Sequence, residues 1–168
     1  GGKTSRLYER LVYRERLADS AGAGLSPLEI AGLFTLSADV KQGVPVARVE
    51  AAMREELQRF IEQGPTQAEL ERAKIAIRAG FVRGLERIGG FGGKADVLAS
   101  CEVYAGDPGC YRQSLEWIAA AKPADLQRVA RQWLSQGDYT LEVLPQPPYS
   151  ATAADAVDRK PGPPVISE

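Results

Sequence analysis

Arg83-Gly84-Leu85-Glu86-Arg87-Ile88-Gly89-Gly90-Phe91-Gly92-Gly93-Lys94-Ala95-Asp96-Val97-Leu98-Ala99 is the stretch on which the reading of this chain turns. Four glycines surround one phenylalanine, a long helical pattern runs in, and another leaves. A phosphate loop of the G-x-x-x-x-G-K-[ST] type needs a strand before it and a hydroxyl after its lysine. Here the first position is Ile88, the residue after Lys94 is Ala95, and the element before is helical. The dinucleotide pattern G-x-G-x-x-G fails too, because Gly90 and Gly92 are followed by Ala95 in the third place. The stretch therefore predicts a turn between helices, whose glycines permit positive φ and close packing.

Upstream of that turn, Leu70, Ala73, Ile77, Phe81, Leu85 and Ile88 recur at helical spacing, predicting a helix of about 20 residues and some 30 Å. Thr66-Gln67-Ala68-Glu69 in front of it has the form of a capping box, in which the hydroxyl and the carboxylate reciprocally satisfy two backbone N–H groups. Before that, Val46, Val49, Met53, Leu57 and Phe60, with Ile61, give a helix that Gly64-Pro65 stops. Leu7, Leu11 and Leu17, with Tyr8 and Val12, mark a first amphipathic helix over Ser5 to Leu17. Asp19 to Ser26 and Ile30 to Val40 read as a strand pair, since Phe34, Leu36 and Ala38 share a period of two.

Downstream, Lys94 to Ala105 returns to a helical pattern. Gly106-Asp107-Pro108 closes it and predicts the next helix, with aspartate at the N-cap and proline at the first position. Tyr111, Leu115, Ile118 and Ala119 are the apolar side of that helix. Pro123 opens another through Leu126, Val129, Ala130, Trp133 and Leu134, with Gly137 as its stop. Tyr139 to Leu144 reads as a last strand. From Pro145 the composition changes: six of the eleven prolines lie between Pro145 and Pro164, which predicts a semi-extended linker over 145–168.

The 168 residues suit one ordinary domain plus a tail. Lys+Arg (21) and Asp+Glu (22) nearly cancel and form no long single-sign run, which argues against nucleic acid or an acidic membrane as partner. No apolar run approaches the ~20 residues of a bilayer span. There is no histidine, so neither Ser-His-Asp nor Cys-His catalysis, nor any histidine-ligated zinc site, can be assembled. Cys101 and Cys110 are too few for a thiolate zinc site. A disulfide in an oxidising compartment and two half-buried free thiols both stay open, the second being the plainer reading.

Other chemistry-bearing residues have ordinary readings. Glu55-Glu56, Glu69 and Glu71 read as solvated helix surface, because neighbouring glutamates on a helix point in different directions. Trp117 and Trp133 fall on or beside apolar stripes, for a core or an interface. Nothing distinguishes Lys74 or Lys94 as an activated amine. The expectation is that the chain holds no catalytic, cofactor-binding or metal-ligating residue. A strand edge that adds an extended peptide is the one binding mode the strands offer, and pairing within the domain is the equal alternative.

Three stretches together resemble the M16 zinc metallopeptidases, the group of pitrilysin, insulin-degrading enzyme and the mitochondrial processing peptidase. They are Gly1-Gly2-Lys3-Thr4-Ser5-Arg6-Leu7-Tyr8-Glu9-Arg10-Leu11, Gly64-Pro65-Thr66-Gln67-Ala68-Glu69-Leu70-Glu71-Arg72-Ala73-Lys74, and the glycine stretch from Arg83 to Ala99. The resemblance spans nearly all of residues 1–144 and implies an α+β domain, a mainly antiparallel sheet with helices packed on one face. It also implies a non-catalytic domain of a zinc-dependent endopeptidase, helping to enclose a chamber that admits unfolded peptides. In such an enzyme a zinc-bound water attacks the peptide carbonyl with a glutamate as general base. That zinc site, an inverted His-x-x-Glu-His with a downstream glutamate, belongs to another domain, so zinc is implied for the parent with its ligands outside this chain.

The implied partners are the zinc-bearing domain, the second half of the same polypeptide, and peptide substrates of the parent. In the family's zinc-free half, an arginine and a tyrosine seven residues later contact substrate; here those places hold Val12 and Asp19, and no substrate-binding residue carries over. Leu11-Val12-Tyr13-Arg14-Glu15-Arg16-Leu17-Ala18 is instead similar to the zinc-bearing half of bacterial members. This points to the second domain of that half, truncated at its N-terminal side, with 145–168 linking to the other half in a periplasmic protein. A structural or assembly protein of the same fold, like the family's respiratory-complex core subunits, is the alternative.

Overall fold

The structure, a computed structural model, describes residues 2–145. The linker expected over 145–168 lies outside them apart from Pro145.

The chain begins with a short helix α1 (Arg6–Tyr8) that continues without a break into a π-helical turn over Glu9–Arg14. The regular helix expected over Ser5 to Leu17 is thus underwound into i+5 bonds, such as Glu15 N–H to Arg10 O at 2.9 Å, and ends at Arg16, whose φ is 53°. The wider turn places Leu7 and Leu11 on the buried side, with Leu17 following them inward. An antiparallel hairpin follows, β1 (Ala18–Pro27) with β2 (Gly32–Val40), with Ala21 opposite Ala38, Ala23 opposite Leu36 and Leu25 opposite Phe34. Small residues on β1 let the π-helical turn lie close to the strand.

Helix α2 (Val46–Gln63) lays Val49, Ala52 and Met53 over that unit, completing a core with Leu7, Leu11, Leu17, Ala18 and Ala21, flanked by Leu36, Ala38 and Val40. Beyond this core the hairpin continues uncovered: Leu25, Phe34 and the tip residue Ile30 are exposed.

Four helices complete the described chain: α3 (Gln67–Gly84), α4 (Lys94–Ala105), α5 (Tyr111–Ala120) and α6 (Pro123–Trp133). The architecture is α+β, with one two-stranded antiparallel sheet among the described residues. Helix α6 lies against α2, and α5 bridges α3 and α4. Three boundaries differ from expectation. Helix α3 stops at Gly84, before Ile88, because the chain turns there. Helix α5 starts at Tyr111, because Asp107 accepts from Gly109 N–H at 2.8 Å and closes a separate turn first. Helix α6 ends at Trp133, short of Gly137.

The strand expected at Tyr139 to Leu144 is irregular chain. Arg54 of α2 holds its start, donating to Asp138 Oδ1 at 2.6 Å and Thr140 Oγ1 at 2.9 Å. Alternation alone makes no strand without an edge to pair with, and Tyr139, Leu141 and Val143 stay exposed.

The glycine stretch is the turn between α3 and α4. Lys94 and Ala95 N–H groups bond Arg87 and Ile88 carbonyls, both at 3.0 Å, and Asp96 accepts from Gly92 N–H at 2.7 Å. Gly92 has φ 75°, and a Cβ on Gly93 would sit 2.5 Å from the Gly89 carbonyl oxygen. Gly93→Ala is therefore expected to lower stability by about 1–2 kcal/mol, since backbone must shift to admit the methyl group. Gly89→Ala, where a Cβ meets nothing within 4 Å, is the control. Urea unfolding of the two variants checks this; equal midpoints would remove the close approach as the reason for Gly93.

Candidate functional site

The polar residues converge most densely where α2 ends and α3 begins. A helix C-terminus leaves carbonyls without intrahelical partners and carries partial negative charge. Here distant side chains satisfy them. Arg131 of α6 donates to Ile61 O at 3.2 Å and Glu62 O at 2.9 Å, and Gln127 also donates to Glu62 O. Arg6 of α1 donates to Gly64 O at 3.1 Å and lies 5.7 Å from the Phe60 ring centroid.

The same arginine forms a two-pronged pair with Glu69, at 2.6 and 2.7 Å. Glu69 is the carboxylate of the expected capping box: Thr66 N–H donates to it at 2.7 Å, the Thr66 hydroxyl at 2.9 Å, and Thr66 Oγ1 accepts from Glu69 N–H at 3.2 Å. The Arg6 guanidinium, opposed by partial burial and assisted by Thr66, lowers the Glu69 carboxyl to about 2. Such a carboxylate stays ionised near neutrality, with both oxygens engaged by Arg6 and Thr66. The pairing raises Arg6 in turn.

One turn along, Arg10 gathers a second cluster. It donates to Glu15 and Glu55, each at 2.6 Å, and to Ala52 O at 3.1 Å. Hydrogen bonds to Glu15 and then Glu55 raise its pKa. Glu56 is 5% exposed, with Arg59 at 3.1 Å and Arg10 at 3.9 Å. The solvated-surface reading thus holds for Glu55 and Glu71 but fails for Glu56, which is buried, and for Glu69, which is half-buried. Their cationic partners come from other turns and elements, so no local pattern announces the burial; Arg6, Arg10 and Arg131 carried no signal in the sequence.

The remaining candidates separate. Lys74 donates to Ala119 O at 2.9 Å, tying α3 to the end of α5, whereas Lys94 is exposed. Trp117 and Trp133 are 68% and 69% exposed, so neither is core. Cys101 and Cys110 are joined in a disulfide with Cα atoms 5.4 Å apart, against the plainer reading of two thiols. An open cleft of about 660 Å³ runs between α2 and the chain after α6, walled by Arg54, Glu55, Gln58, Glu62, Leu134 and Asp138. Arg54 is already engaged by Glu50, Asp138 and Thr140.

Zinc does not fit these donors. Glu69 spends both oxygens on Arg6 and Thr66, and the two sulfurs are bonded to each other. Among the described residues no three His, Cys, Asp or Glu side chains are grouped to hold a metal ion. No helix among them is long and apolar enough to cross a membrane.

Residues 1–77 match the family model described as the peptidase M16 inactive domain. Over these residues, a little under half of the chain, the sequence is similar to the M16 peptidase family. The match contains both resembling segments that the Arg6–Glu69 pair clamps together. Among solved structures, a protease from Helicobacter pylori is similar at 26% identity and a TM-score of 0.68, over 80% of this chain and 32% of that one. The chain therefore spans about a third of that protein's length. The inactive peptidase domain of a proposed zinc protease from Bordetella parapertussis is similar at 22% identity and a TM-score of 0.67, covering 88% of this chain and 79% of that one. The M16 inactive domain from Pseudomonas fluorescens follows at 16% identity and a TM-score of 0.62, covering 79% and 30%. The last two likenesses speak for the fold alone. No curated protein sequence matches the chain.

Proposed function

We propose that this chain is an M16-type inactive domain and serves a zinc-dependent endopeptidase as a non-catalytic wall of its peptide-degrading chamber, with the zinc ligands and the general base on another domain of the same polypeptide. The match of residues 1–77 to the inactive-domain model carries the reading. The polar geometry is in keeping with it, because the Glu69 carboxylate is committed to Arg6 and Thr66. The exposed Trp117 and Trp133 supply apolar area for neighbouring domains. In this reading the domain belongs to the zinc-bearing half of a bacterial periplasmic protein, and 145–168 links it to the second half.

Metal analysis and a peptide-cleavage assay test the proposal. The 168-residue chain alone is expected to hold no stoichiometric zinc and to cleave no unfolded peptide, while the full-length polypeptide holds one zinc and cleaves. One zinc per isolated chain would overturn the assignment. A full-length protein without zinc or cleavage would also overturn it, in favour of a structural protein of the same fold.

A further inference from the structure

Helix α4 is attached differently at its two ends. Its N-terminal end is bonded into the glycine turn through the Lys94 and Ala95 N–H groups. Its C-terminal end is fixed by the Cys101–Cys110 disulfide, which spans nine positions and crosses to the residue before α5. Among the described residues, no side-chain hydrogen bond or ion pair joins α4 to α5. Within 71–129 only Gly93 and Cys101 are buried, so no packed core replaces the covalent link. Under α4 lies a cleft of about 330 Å³ with mainly apolar walls, among them Ile77 and Phe81 of α3, Val97 of α4 and Leu115 of α5, while Asp96, Ser100 and Ser114 also line it. Phe81 and Tyr111 stack at 5.7 Å and bind α3 to α5 independently of α4.

From this arrangement we infer that the Cys101–Cys110 disulfide is a redox latch: its reduction lets α4 swing about the glycine turn and uncovers the apolar floor that α3 and α5 form. The electron source is a dithiol. Its thiolate attacks Sγ of Cys110, the more accessible of the two sulfurs, since Cys101 is 5% exposed and Cys110 half-buried. The Cys101–Cys110 bond breaks, Cys101 leaves as thiolate and takes up a proton. The second thiol of the reductant then displaces Cys110, forming the reductant's own disulfide and a second free thiol. The stabilisation lost is that of closing a short loop, which corresponds to about a tenfold or greater rise in opening. Helix α2 and the N-terminal core have no covalent stake in the bond and keep their packing. The inference is independent of the zinc-peptidase reading.

Hydrogen exchange of the whole chain, followed by mass spectrometry with and without dithiothreitol, tests it. Reduction is expected to speed exchange about tenfold or more across 94–105 while 111–120 of α5 and 49–61 of α2 stay within about twofold. The Cys101→Ser/Cys110→Ser variant should show the fast pattern without reductant and no response to it. Equal exchange in both redox states would overturn the latch. So would acceleration spread equally over α2, which would mean global unfolding, or two titratable thiols in the unreduced protein.

Discussion

Leu11→Ala lowers the stability of the chain by about 3–4 kcal/mol, the largest effect expected of a single side chain here. Leu11 has no exposed surface, and Leu7, Leu17, Ala18, Ala21, Val49 and Ala52 share its cluster. The alanines are too small to fill the space left, and the strand beneath is held in register by its partner, so the cavity persists instead of collapsing. Urea unfolding followed by far-ultraviolet circular dichroism checks this. A loss below about 1 kcal/mol would show that the π-helical turn does not seat Leu11 at the centre of the core. Tyr13, 57% exposed on the same turn, serves as the contrasting site.

Arg6→Ala costs about 2–3 kcal/mol, less than a fully buried pair because both side chains keep about a quarter of their surface in water. The variant strips Gly64 O of a donor, Glu69 of its counter-ion and Phe60 of its cation at once. A pH signature separates the ion pair from the packing. The Glu69 carboxyl lies at about 2 in the folded chain, against an ordinary 4.5. A depressed folded value means that the contribution is complete above about pH 5. It fades as pH falls through 4.5, because the unfolded chain takes up the proton first, and it is gone below about 2. After allowance for solvent screening, the wild-type chain loses about 1–2 kcal/mol through this group between pH 5 and 2. The Arg6→Ala chain loses much less over the same window. Identical slopes in the two proteins would refute the assigned pairing.

What the sequence made legible is what neighbours along the chain determine. Gly64-Pro65 followed by Thr66 and Glu69 placed the end of α2, the cap of α3 and the interruption between them, because each bond involved spans four residues or fewer. The glycine stretch was read correctly as a turn for the same reason. Glu56 was misread because Arg10 reaches it only after the chain has folded back. Tyr139 to Leu144 carries the alternation of a strand, yet a strand is a relation between two segments, and Arg54 instead draws the start of this one onto α2. The first helix was misjudged by a finer margin: one extra residue per turn, invisible in the hydrophobic pattern, distinguishes the π-helical path. The disulfide depended on how tightly 106–109 would turn, which the Asp107 bond to Gly109 sets.

The glycine turn also divides labour between main chain and side chain. Its path is fixed by backbone bonds and by a carbonyl that leaves no room for a methyl group, while Phe91 at its crest is 95% exposed and contributes to the fold through its carbonyl, which accepts from Arg87 at 3.2 Å. The turn is thus a pedestal shaped by main chain, with an interchangeable finial. Substituting Phe91 therefore changes what this corner presents to its surroundings, while the glycines beneath keep the path of the main chain.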